Sequence, residues 1–415
     1  MAKTIVFCAD GTWNGPGGDD ATSKGKPCTN VFKLFSNLDG VNTDADSRLA
    51  DEQERALHDD AGELLQIAKY LHGVGDSDNF LVKILGGTMG AGIITRIVRG
   101  YTFVSRNYAP GDRIVLLGFS RGAYTARALA GLIAERGLLD ASRINLTDKE
   151  TAYRLGAAVW FDYRKERLAA EPFVLRLLEE LAVDLPAFLS HTADPPRVTD
   201  VPIEAVAVWD TVGALGIPVY VEKDVRAEIF RFVDTRLSDK VRHGFHAIAA
   251  DEQRDDFQPT FWDADPRIQQ CLFPGAHADV GGGYPIAGGE SGLSDAALDW
   301  ISHRVGRLGV AFADKPGFPP EPNAAGAAHQ PWASLPFSQM PKSARKFPAD
   351  RGLGLSTSLL GRLKAGPVVG QPGQPPAVYA PTNLSAYLAG VNPAPGVPIY
   401  FNNPPNDPSP DAGPS

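Results

Sequence analysis

Two apolar patterns alternate along this 415-residue chain. Short unbroken apolar runs read as strands buried on both faces. They cover Thr4 to Cys8, "LLQIAKYL" before a glycine turn, Val115 to Leu117, "IEAVAVW" (203–209) and "RIQQCLF", which is expected to be the last core strand. Between them, apolar residues three and four apart predict helices. These cover Asn30 to Leu38, residues 92–108 (stopped by Pro110 and Gly111) and the Ala/Leu-rich stretch from Tyr124. Two more follow in "TAYRLGAAVWFDYRKERLAA" and "FVLRLLEELAVDLPAFL". "DKVRHGFHAIAADEQR" also reads as a helix, as does "LSDAALDWISHRVGRL", with Ser294 as its N-cap. Strands alternating with helices predict an α/β fold with a mostly parallel central sheet flanked by helices.

The pattern changes beyond residue 313, where proline, glycine and alanine replace periodicity. The expected organisation is an α/β domain over 1–312, carrying a helical insertion at 147–192, and an irregular Pro/Gly-rich C-terminal extension over 313–415. The end of that extension is expected to lie loosely on the surface or to be disordered. Within the insertion, the apolar stripe of residues 173–189 fits a helix packed on the core, or a lid whose apolar face covers a pocket at rest.

A net charge of −9 argues against a protein that grips nucleic acid by its overall charge, and against strong adsorption to anionic lipid. Cys8, Cys28 and Cys271 form neither a disulfide framework nor a metal pair. Cys8 and Cys271 fall in strand runs and are expected to be buried free thiols of a protein made in a reducing compartment. The N-terminal stretch enters a strand directly, with no signal-peptide pattern, and no apolar run is long enough to span a bilayer. Synthesis in the cytoplasm is therefore expected, and any membrane contact should be transient and at the surface. "GVGDSDN" places Asp76, Asp78 and Asn79 at alternating positions but lacks the rest of a calcium loop, so a solvated turn is expected. "DGT" at 10–12 resembles a phosphatase motif, but the position that needs a nucleophilic aspartate is Cys8. No metal or cofactor is called for.

"VLLGFSRGAYTARALAGLI" (115–133) is where sequence points to chemistry. It runs strand, turn, helix, with Ser120 at the join between Gly118 and Gly122. That is the layout of a nucleophile elbow, which lifts a serine oxygen above the sheet. A serine hydroxyl needs a base, and the base needs an acid to fix its tautomer. In α/β-hydrolases these follow in the order serine, acid, histidine, at carboxyl ends of strands. Asp210 directly follows "IEAVAVW". Asp251 and Asp279 remain as alternatives, the first at a predicted helix end and the second only two residues from a histidine. His243, His246 and His303 fall in helical patterns and His329 in the loose extension, so His277, just past a strand in "FPGAHADVGGGY", is the expected base. Backbone N–H groups of Arg121 and of Gly11 or Thr12 are the expected oxyanion donors.

Nine stretches in order, among them "FCADGTWN", "LGGTMGAGI", "GFSRGAYTARALAGLI", "VWDTVGALGIP", "HAIAADEQR" and "FPGAHADVGGGY", resemble the α/β-hydrolase domain of type VI secretion lipase effectors of the first family. The resemblance runs from about residue 3 to 310. It implies a serine esterase acting on phospholipid acyl chains, with Ser120, Asp210 and His277 as its triad. It also implies a secretion-apparatus or immunity protein as partner and export by a type VI-like route. A carboxylesterase for small soluble esters and a non-catalytic binding module on the same fold are the alternatives.

Overall fold

The computed structural model describes residues 2–11, 27–43, 52–72, 89–167, 194–212, 235–335, 337–339, 341–390 and 397–401. Thr12, the Asp76–Asn79 turn and the 173–189 stripe lie outside the described residues.

A ten-stranded sheet organises the molecule. Its strands are β1 (Thr4–Ala9), β2 (Val41–Asn42), β3 (Glu52–His58), β4 (Leu64–Leu71), β5 (Arg113–Phe119), β8 (Ile203–Trp209), β9 (Val241–Ala249), β10 (Ile268–Phe273), β11 (Leu353–Ser356) and β12 (Ile399–Tyr400). β6 (Leu138–Leu139) and β7 (Arg197–Val198) form a separate small ribbon. The spatial order is β12-β11-β10-β9-β8-β5-β1-β4-β3-β2. All neighbours from β12 to β4 pair in parallel, and only the β2–β3–β4 edge is antiparallel.

Helices cover both faces: α1 (Asn30–Asn37), α2 (Met89–Asn107), α3 (Arg121–Arg136), α4 (Lys149–Arg167), α5 (His277–Gly281), α6 (Gly292–Arg307), α7 (Thr357–Lys364) and α8 (Thr382–Gly390). Successive strand side chains point to opposite faces, so the unbroken apolar runs divide between two cores. Ile5, Phe7, Ile114 and Leu116 join Ile97, Leu129 and Trp160 under α2, α3 and α4. Val6, Cys8, Val115 and Leu117 join Val31, Phe35, Trp300 and Ile301 under α1 and α6. Cys8, Cys28 and Cys271 are buried and form no disulfide among the described residues.

Three local readings change. The segment read as a helix from 239 is β9, because it sits between β8 and β10 and bonds to both. Its dense apolar residues satisfy either period, and Gly244 in its middle disfavours a helix by about 1 kcal/mol relative to Ala. Pairing on both sides decided the outcome. Ser294 lies within α6, whose N-cap is Ser291. β10 is not the last strand either, since β11 and β12, from beyond residue 313, extend the sheet past it. The same region builds a third core, in which Leu353, Leu355, Leu359, Leu384 and Tyr387 pack on Ile248 and Leu272.

Candidate active site

Parallel strands carry their carboxyl ends to one edge of the sheet, and the turn after each strand opens there. Ser120 follows β5, Asp210 follows β8, His277 lies just past β10, and Asp10 and Gly11 follow β1.

Ser120 has φ 57° and ψ −123°, a left-handed value that costs a non-glycine residue about 1–3 kcal/mol. Its N–H donates to the Trp209 carbonyl at 3.1 Å, and its carbonyl accepts from Tyr124 N–H at 3.2 Å. The turn is therefore held by β8 on one side and α3 on the other. The flanking glycines follow from close backbone packing. A Cβ on Gly118 would stand 2.3 Å from the Gly122 carbonyl oxygen, and one on Gly122 only 2.0 Å from that of Ala9. Both carbonyls belong to buried backbone, that of Gly122 in the first turn of α3 and that of Ala9 in β1. Gly122→Ala is therefore expected to lower unfolding free energy by about 1–3 kcal/mol, outweighing the helix-propensity gain of at most about 1 kcal/mol. A denaturant titration checks this, and an unchanged midpoint would contradict the packing argument.

Asp210 and His277 meet. His277 Nδ1 lies 2.5 Å from Asp210 Oδ2, both residues are buried, and Asp210 is 0% exposed. The Asp210 carboxylate also accepts from Ala249 N–H at 3.0 Å and from Arg345 Nη1 and Nη2 at 2.7 and 2.9 Å. Burial alone would raise its proton affinity, but the Arg345 charge and the bonds from His277 and Arg345 hold it well below the usual carboxylate range. Phe119 and Phe257 pack against the His277 ring at centroid distances of 4.5 and 5.0 Å. Burial lowers the His277 pKa, partly offset by Asp210, so the imidazole stays neutral below its ordinary range.

The other acids are engaged elsewhere. Asp251 accepts from Gly275 N–H at 2.6 Å and from the Tyr379 hydroxyl at 2.9 Å, and burial pushes its pKa up to about 6. It follows strand β9 rather than a helix. Asp279 pairs with His329 Nδ1 at 2.6 Å. His329 is thus no part of a loose tail, since it stacks on Tyr284 at 3.4 Å and reaches Glu290 at 3.3 Å. His243 and His246 lie on β9. His246 Nε2 accepts from Thr211 N–H at 3.0 Å, and burial lowers its pKa to about 3. His303 lies on α6.

The expected oxyanion donors divide. Arg121 opens α3, where the first N–H groups of a helix have no intrahelical acceptor. Gly11 N–H donates to Asp10 Oδ1 at 2.6 Å, and Thr12, the alternative donor, lies outside the described residues. Asp10 organises this loop, accepting as well from Thr29 Oγ1 at 2.7 Å and the Tyr70 hydroxyl at 2.6 Å. Two residues of the site escaped sequence reasoning. Asp10 entered only through the phosphatase comparison, and Arg345 lies in an aperiodic stretch that gives no local signal. Among the described residues, no group of three His, Cys, Asp or Glu side chains could hold a metal ion, and no helix is long and apolar enough to cross a membrane.

Comparison with known proteins adds four observations. An uncharacterized protein of Saccharomyces cerevisiae is 26% identical over 270 residues, covering 65% of this chain and 34% of its own length. An uncharacterized protein from Pseudomonas aeruginosa has a crystal structure that aligns with a TM-score of 0.35 at 18% identity, over 72% of this chain and 44% of that one. The Tle1 effector, solved bound to the VgrG spike of the type VI secretion system, aligns with a TM-score of 0.33 at 16% identity, over 70% of this chain and 52% of that one. The chain thus spans about a third of the yeast relative and about half of each structure. Residues 3–304 match the family described as the type VI secretion phospholipase effector Tle1-like catalytic domain, and the chain belongs to that family.

Proposed function

We propose that this chain hydrolyses the carboxylic esters of lipids, as a phospholipase A or lipase, through Ser120, His277 and Asp210. The observation that carries the reading is the buried His277–Asp210 pair beside the strained Ser120 turn, on the same sheet edge. Family membership supplies the lipid.

In this reading Ser120 Oγ attacks the ester carbonyl carbon while His277 Nε2 takes its proton. Negative charge gathers on the carbonyl oxygen, which the N–H group of Arg121 and a second one from Gly11 or Thr12 would receive. Collapse breaks the acyl C–O bond, and His277 returns the proton to the leaving alcohol. Water, deprotonated by His277, then attacks the acyl-serine carbonyl carbon; the acyl C–Oγ bond breaks, His277 returns the proton to Ser120 Oγ, and the fatty acid leaves. Asp210 keeps the proton of His277 on Nδ1, so that Nε2 faces the reaction. The phenyl rings of Phe119 and Phe257 keep water from the imidazole. These steps use only side chains and backbone of this chain and need no cofactor. Family membership also supports a protein of the secretion apparatus as partner.

The test compares turnover of phosphatidylcholine vesicles carrying long acyl chains with that of short monomeric esters, alongside fluorophosphonate labelling mapped to a peptide. Higher activity on vesicles and a label on Ser120 are expected. A peak on short soluble esters would make the protein a carboxylesterase. The absence of both turnover and label would leave a binding module and overturn the reading.

A further inference from the structure

Arg345 sits in "SARKFP", a stretch with no regular structure beyond residue 304, where the family match ends. Its side chain is nonetheless wholly buried. The guanidinium grips both oxygens of Asp210, at 2.7 and 2.9 Å, and donates as well to the carbonyls of Ala249 (2.7 Å) and Phe257. Such a two-pronged fork fixes a carboxylate in direction as well as in charge. Asp210 accepts two hydrogen bonds at each oxygen: Ala249 N–H and Arg345 Nη1 at Oδ1, His277 Nδ1 and Arg345 Nη2 at Oδ2. An ionised carboxylate has about four acceptor sites, so none is left over.

We propose that Arg345 is the positioning residue of this active site: it holds the Asp210 carboxylate ionised and aimed, and through it one tautomer of His277, so the segment beyond the matched region completes the catalytic centre. The inference rests on the triad reading above. Its logic is that of charge in a dry place. A buried carboxylate without a cation tends to take up a proton. A protonated Asp210 can donate as well as accept, and no longer dictates which nitrogen of His277 carries hydrogen. With Arg345 in place Asp210 can only accept, and Nδ1 must donate.

Other titratable and charged groups also face the pair. His246 on β9 lies near Asp210, and Arg254 and Glu252 lie near His277. Arg254 is forked onto Glu252 at 2.9 and 2.8 Å, and Glu252 accepts the His277 backbone N–H at 3.2 Å. Arg345 is the cation bonded to Asp210 itself.

The test uses the full chain and a short soluble ester, with kcat, KM and the pH profile of kcat/KM for the wild type, Arg345→Met, Arg345→Lys, Asp210→Asn and the Asp210→Asn/Arg345→Met double variant. Arg345→Met is expected to lose about 10²-fold in kcat with KM within about threefold. Its acid limb should move to higher pH, because without the cation the Asp210–His277 pair holds its inactivating proton longer. Arg345→Lys keeps the charge but not the fork, so the limb should stay in place while kcat falls. The double variant should be no slower than Asp210→Asn alone, since Arg345 acts through Asp210. A merely structural Arg345 would leave the limb unmoved and slow the double variant multiplicatively, and either result overturns the proposal. If Arg345→Met does not fold, Arg345→Lys and the double variant carry the test, and wild-type kcat in Arg345→Lys overturns it. Wild-type rates in Ser120→Ala and Asp210→Asn would instead overturn the triad reading beneath it.

Discussion

Ser120→Ala and His277→Ala are each expected to lower kcat by about 10⁴- to 10⁶-fold, and the double variant should be no slower than the worse single one. Nucleophile and base act as a unit, so once either is gone the other has nothing to do. Residual turnover should come from the oxyanion donors and substrate binding alone. Stability should barely move for Ser120→Ala. Alanine at φ 57° is about as strained as serine, and the hydrogen bonds that hold this turn belong to the backbone. Steady-state kinetics with a thermal melt on the same samples checks both halves. A loss of turnover that tracks unfolding would remove Ser120 from the chemistry, as would multiplicative losses in the double variant.

Asp210→Asn is expected to cost roughly 10³- to 10⁴-fold in kcat, and Asp251→Asn less than about tenfold. The amide has one nitrogen where Asp210 has an accepting oxygen. Because Arg345 bonds both oxygens, that nitrogen faces an Arg345 N–H in either orientation, donor against donor, and at the Oδ2 position it faces the His277 Nδ1–H as well. In that second orientation His277 loses the group that fixes its tautomer. Arg345 also becomes a buried cation without its anion, which costs about 3–5 kcal/mol, so rates must be taken where the variant is still folded. Asp251 makes no such contact. It anchors Tyr379 and the Gly275 N–H, and burial raises its pKa to about 6, so removing its charge costs less than at Asp210. Kinetics of the two variants at one pH decides the assignment. A greater loss in Asp251→Asn would mean that the acid has been misassigned.

The placement of Ser120, Asp210 and His277 at strand ends was legible because each is announced by its own neighbours. An apolar run says strand, and the residue after it stands at the carboxyl edge of a parallel sheet. The Ser120 turn is the most local of all: the glycines on either side carry the information that backbone must pack against backbone. The choice among Asp210, Asp251 and Asp279 was less legible, since all three lie near strand or helix ends. Only their partners in the fold separate them, with Asp251 on Tyr379, Asp279 on His329 and Asp210 on His277.

The alternating apolar runs, the elbow and the order of serine, acid and histidine were determined by the sequence itself, because hydrophobic period and turn chemistry act over a few residues. The tertiary structure alone decided that 241–249 is a strand, since its apolar pattern permits either state and pairing with β8 and β10 supplies the preference. It also decided that the proline-rich extension lends β11 and β12 to the sheet and Arg345 to Asp210. Those contacts join residues far apart in the chain, 135 positions in the case of Arg345 and Asp210. An arginine in an aperiodic stretch carries no local mark of the buried carboxylate it will meet, because only folding removes the water that makes their pairing matter.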